Sequence, residues 1–114
     1  MLDHFRMLAA YNEWANRQLY EAVGRLDDAA FRKDCGAFFR SLHGTLNHLL
    51  ATDRIWMRRF TGAGEAPDRL DAILHEDFAG LQAARWAEVD RIILWVASLT
   101  EADIAAEFTY SPIS

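Results

Sequence analysis

Apolar residues recur along this chain at helical spacing, in three long stretches separated by short polar or glycine-rich breaks. Between Ser41 and Phe60, the positions Leu42, Leu46, Leu49, Asp53, Trp56 and Phe60 follow the four-three spacing of a buried helical seam, with Asp53 falling on the stripe itself. Upstream, from about Asp3 to Leu26, one side carries Phe5, Leu8, Ala15, Leu19, Val23 and Leu26. Downstream, from about Leu70 to Ser98, the stripe is Leu74, Phe78, Leu81, Val89, Ile92, Val96 and Leu99. Gly62-Ala63-Gly64 and Pro67 stop the middle segment. At 1.5 Å per residue each helix would be roughly 30–40 Å long, the length used in up-down bundles. The expectation is an all-α fold of the four-helix-bundle type, residues 1–114 forming one domain with three long helices and short capped turns.

The breaks repeat. Leu26-Asp27-Asp28-Ala29-Ala30-Phe31 and Leu99-Thr100-Glu101-Ala102-Asp103-Ile104 share one order: Leu, a capping residue, an acid, a small residue, one further position, then an apolar anchor. Asp27 and Thr100 are good N-caps for a short turn of helix. The first copy is followed by a long helix; the second reaches Ser114 before its counterpart would begin. Three amphipathic helices around a common axis then leave an apolar groove where a fourth should lie. The last stretch, Phe108 to Ser114, alternates like a short edge strand or extended loop and contains Pro112, too little to fill such a groove.

Composition narrows the partners. Hydrophobic residues are 52% and charged ones 25%, ordinary for a globular protein. A net charge of −5 argues against nucleic acid, whose affinity rests on clustered cations. The local basic cluster, Arg54, Arg58 and Arg59, falls in the last turns of its helix and reads as an offset to the helix dipole. A single cysteine, Cys35, allows no internal disulfide. The longest strongly apolar run, Ile92 to Ala97, is far below the ~20 residues of a membrane span. Met1 to Arg6 enters an amphipathic pattern at once, unlike a signal peptide, so the expected location is the cytoplasm.

Candidate chemistry concentrates on the middle helix. His48 lies at the shoulder of the apolar stripe and Asp53 within it. His43 and His48, five apart, point about 140° from each other and would not share an ion; His4 and His75 form no pair at helical spacing either. A lone His48 reads as a hydrogen-bonded core residue or as one ligand of a metal. Asp53 reads as the partner of an arginine or of a polar group on the first helix, or as a group orienting an imidazole. Asn12 and Asn16 stack on one face of the first helix, lining a polar pocket or facing water. Four tryptophans, Trp14, Trp56, Trp86 and Trp95, read as core or interface, with pocket lining the lesser alternative. Phosphate loops, nucleophile elbows and Cys-x-x-Cys pairs are absent.

The combination Tyr11-Asn12-x-Trp14-Ala15-Asn16-x-x-Leu19 with Ser41-Leu42-His43-Gly44-Thr45-Leu46-x-His48-Leu49-x-x-x-Asp53-Arg54-Ile55-Trp56 resembles the DinB family of metal-binding four-helix bundles. The likeness covers nearly the whole chain, and the second motif is fairly specific. It implies a divalent metal, zinc or nickel, held by three histidines: one at the position of His48, two from a His-x-x-x-His pair on the fourth helix. No such pair occurs here, so the implied site is incomplete in this chain and its remaining ligands are expected from beyond Ser114. The resemblance further implies relatives of thiol S-transferase or hydrolase type acting with a small-molecule thiol. Asp53, Asn12, Asn16 and Trp56 become candidates for the pocket around His48. The alternative is a non-catalytic helical module forming a homodimer through the uncovered groove.

Overall fold

Side-chain caps decide where the helices begin. In a computed structural model, which describes residues 2–36 and 39–103, the chain forms α1 (Leu2–Gly24), α2 (Asp28–Arg32), α3 (Leu42–Thr61) and α4 (Phe78–Ser98). The Asp27 carboxylate accepts from the Ala30 N–H at 2.7 Å, Ser41 Oγ from the Gly44 N–H at 2.9 Å, and Asp77 from the Gly80 N–H at 2.8 Å. Each bond satisfies a donor that the first helical turn leaves without an internal acceptor. Thr100 and Asp103 cap one another reciprocally, the Asp103 N–H donating to the threonine hydroxyl and the Thr100 N–H to the carboxylate. Both copies of the repeated break therefore carry a capped turn. Gly62, with φ at 71°, closes α3 by donating its N–H to the Arg58 carbonyl. The expected strand or loop over 108–114 lies outside the described residues.

The last long helix starts at Phe78, eight positions later than its apolar periodicity predicts. Asn47 is the reason. Its side chain is completely buried, and its amide oxygen accepts from the N–H groups of Leu74 and His75 at 2.9 and 3.0 Å. Its Nδ2 donates to the carbonyls of His43 and His75. These bonds replace helical ones, so 74–75 stay irregular and the chain re-enters helix only at the Asp77 cap.

Tyr20, Val23, Phe31, Leu46, Leu50 and Leu81 form the core, with Leu19, Leu42, Leu74, Phe78, Ala84 and Trp86 packed around it. Tyr20 sits between the rings of Phe78 and Trp86, at centroid distances of 5.7 and 5.4 Å. Phe31, delivered by α2, meets Phe78 and His43 edge-on. Burial of each such side chain stabilises by roughly 1.5–3 kcal/mol.

α1 packs on α4, and α3 packs on α4 and α2, but α1 and α3 scarcely meet. This rotates the buried face of α3 away from the predicted seam. His43, Leu46, Asn47, Leu50, Ala51 and Met57 are buried, whereas Leu49, Trp56 and Phe60 are exposed at 41, 42 and 36%. Those residues face the side where α1 stands too far away to cover them. Among the described residues no helix is long and apolar enough to cross a membrane.

Candidate functional site

The gap between α1 and α3 is an open groove of about 430 Å³ with α4 as its floor. Phe5, Leu8, Ala9 and Asn12 come from α1, Asp53 and Phe60 from α3, and Ile92, Trp95, Val96 and Leu99 from the end of α4. Phe60 and Trp95 stack nearly parallel across it, 5.1 Å between centroids. The expected groove is therefore present among the described residues. Its volume falls in the range of binding pockets, and its lining is apolar with a few polar points.

Those polar points gather at one end. A second cleft of about 240 Å³ adjoins the groove and shares Asn12 and Asp53 with it; Asn16, Thr52 and Arg85 complete its polar lining. Asn16 Nδ2 donates to the Asn12 carbonyl at 2.8 Å and to its side-chain oxygen at 3.1 Å. Arg85, only 1% exposed, donates through Nη2 to Asp53 Oδ2. An isolated buried guanidinium would be strongly unfavourable, so Asp53 is what allows Arg85 in the core. Arg85 Nε and Tyr20 Oη find no hydrogen-bond partner among the described residues. Burial pushes the Tyr20 hydroxyl up to about 12, with the Arg85 charge pulling the other way.

His48 lies outside both clefts. Nδ1 is 2.9 Å from the Leu70 carbonyl, and the ring stacks on Phe39 with centroids 3.8 Å apart. Because a carbonyl only accepts, Nδ1 carries the hydrogen in that bond and Nε2 keeps its lone pair. Asp53 does not contact this ring; its bonded partner is Arg85, on α4 rather than α1. His43 is a core histidine, 7% exposed, with Nε2 3.1 Å from the His75 carbonyl. Trp56 is not in the groove lining; its ring is tilted against that of Phe60, 5.7 Å away, and it is half-exposed rather than buried. Of the other tryptophans, Trp14 is exposed at 57%, Trp86 packs against the core, and Trp95 lines the groove.

The residues present do not build a three-ligand metal centre. All four histidines and Cys35 belong to the described part of the chain, and among the described residues no three His, Cys, Asp or Glu side chains converge in a way that would hold an ion. His48 offers one nitrogen with no companion.

Arg85 is the site residue that periodicity missed, although a signal was present. Position 85 lies four residues after Leu81 and four before Val89, squarely on the apolar stripe of α4, as Asp53 lies on that of α3. Opposite charges at stripe positions of two helices point to a buried ion pair. Asn47 gave no such signal.

The model of the DinB family matches residues 1–112, nearly the entire chain. No curated protein and no solved structure matches it.

Proposed function

The chain belongs to the DinB family, and from that premise we propose that it acts as a non-catalytic helical module that pairs with a second copy of itself through the α1/α3 groove. The observation that carries this reading is the open apolar groove itself, with exposed Leu8 and Phe60 on its two walls. Tyr11 and Trp14, their rings 5.8 Å apart, are exposed on α1 outside the groove lining. An apolar groove of this kind is suited to two-fold pairing, in which each copy presents the same surface. Charge does not oppose it locally. Although the chain carries −5 overall, the one carboxylate in the groove lining, Asp53, is neutralised by Arg85.

Sedimentation velocity at micromolar concentration tests the reading. A dimer is expected, converted to monomer by Ile92→Glu on the groove floor and unaffected by Leu94→Glu, which lies on the outer face of α4 at 70% exposure. A wild-type monomer would remove the proposal.

The second reading is the metal-dependent one, of thiol S-transferase or hydrolase type. Support for it is the match of His48 to the family's ligand position, together with the Leu70 carbonyl that fixes Nδ1 and leaves Nε2 as the coordinating nitrogen. Zinc or nickel would be the ion, and one imidazole holds either only weakly. Titration of each metal into wild-type and His48→Ala protein decides it. Tight binding lost in the variant would favour this reading over the module; equally weak binding by both would leave the module alone.

A further inference from the structure

Nearly every arginine in the structure has a partner. Arg6, Arg17, Arg25, Arg32, Arg40, Arg69, Arg85 and Arg91 pair with carboxylates. Arg59 lies over the Trp56 ring at 5.8 Å. Arg54 and Arg58 are different: among the described residues neither makes an ion pair, a side-chain hydrogen bond or a ring contact. They are one helical turn apart on α3, and both line a single cleft of about 360 Å³ on the face away from the groove, completed by Glu65, Ala66, Pro67 and Leu74.

The helix dipole does not account for both. Its influence fades within the last turn, which covers Arg58 but not Arg54, seven residues before the end of α3 at Thr61. Two guanidiniums without an ion pair, beside the single carboxylate of Glu65, leave a local excess of positive charge in a chain with an excess of acids. The opposite wall is tied down at both ends. Arg91 donates to the Ala63 carbonyl at 2.6 Å, and Asn47 holds Leu74 and His75.

We propose that this cleft binds a small soluble phosphate monoester. Two forked guanidiniums one turn apart offer more donors than one carboxylate can accept, whereas a phosphate dianion presents three oxygens to them. Ala66, Pro67 and Leu74 supply apolar contact for the ester's organic part. Glu65, which also has no ion-pair partner among the described residues, faces the same space and favours an ester that carries an ammonium group. A cluster of two arginines is too small to track a nucleic-acid backbone.

The test uses the full chain with inorganic phosphate and O-phosphoethanolamine as probes, followed by calorimetry and by the Nε–Hε resonances of the arginines. Arg54→Gln and Arg58→Gln should each weaken binding of both probes about tenfold, roughly the loss of one charge-assisted pair. Arg59→Gln, next to Arg58 in the chain but lying over the Trp56 ring, should leave it within about twofold. Glu65→Gln should tighten inorganic phosphate and loosen phosphoethanolamine, a reversal that a general loss of structure would not produce. Absence of saturable binding at millimolar probe, equal loss in Arg59→Gln, or a response to Glu65→Gln in the same direction for both probes would each overturn the proposal.

Discussion

Asp53 and Arg85 reach each other from the apolar stripes of α3 and α4, and the arginine is buried to 1% of its surface with that carboxylate as its ion-pair partner. The pair forms the polar end of the groove, so packing and surface chemistry meet in it. Removing one partner strands the other. Asp53→Leu is expected to destabilise by about 3 kcal/mol, at the lower end for a buried pair because the aspartate is partly exposed. Asp53→Leu combined with Arg85→Met should cost distinctly less than Asp53→Leu alone, because no charge is left unpaired. Urea unfolding of the three variants measures both; a double variant weaker than the single would contradict it.

Tyr20 is nearly completely buried with an unpartnered hydroxyl. Tyr20→Phe should therefore stabilise, by about 1 kcal/mol, since it deletes a buried polar atom while keeping the ring between Phe78 and Trp86. The same residue shapes the alkaline limb. Its hydroxyl ionises near 10 when unfolded but only at about 12 when folded, so the neutral form's contribution is complete below pH 10 and is lost as pH rises from there to 12. Wild-type stability should fall over that window more steeply than that of Tyr20→Phe, as followed by thermal melts.

The Asp77 carboxyl is held below its ordinary value, chiefly by the Gly80 N–H at the start of α4. A depressed carboxylate contributes fully above the unfolded value of 3.8 and loses its contribution as pH falls through the lower, folded value. Asp77→Asn keeps a capping oxygen but cannot titrate. The stability gap between wild type and variant should be constant at neutral pH and close on acidification below pH 3.8. A gap that persists in acid would show that charge is not what Asp77 contributes.

Asn47 fastens the connection before α4 to α3. Asn47→Ala would leave the Leu74 and His75 N–H groups without their acceptor, at a cost of roughly 3 kcal/mol. Amide hydrogen exchange at those two positions should accelerate far more than at Leu50 in the core. Because the same connection walls the arginine cleft, phosphate binding should weaken in this variant as well.

Much was legible along the chain because it depends on near neighbours. The three long helices, the caps at Asp27 and Thr100, and the stop at Gly62 follow from spacing and from side chains within one turn. A groove was expected from the three apolar stripes, and among the described residues α1, α3 and α4 line one. What could not be read was which neighbour each stripe would find. The predicted α3 seam named Leu49, Trp56 and Phe60, yet α3 packs mainly on α4 and α2 and scarcely on α1, and those three residues stay at the surface.

Sequence by itself determined the helical periodicity, the caps and the family to which the chain belongs, because these are written in local order and in motif spacing. Only the tertiary structure decided that Asp53 turns to Arg85 rather than to His48, that Asn47 delays α4 to Phe78, and that Arg54 and Arg58 share one unpaired cleft. Each of these joins residues far apart in the chain, and a side chain's partner across a fold depends on how helices rotate and tilt together. That rotation is set by the sum of packing over the whole core, which no single stretch of sequence contains.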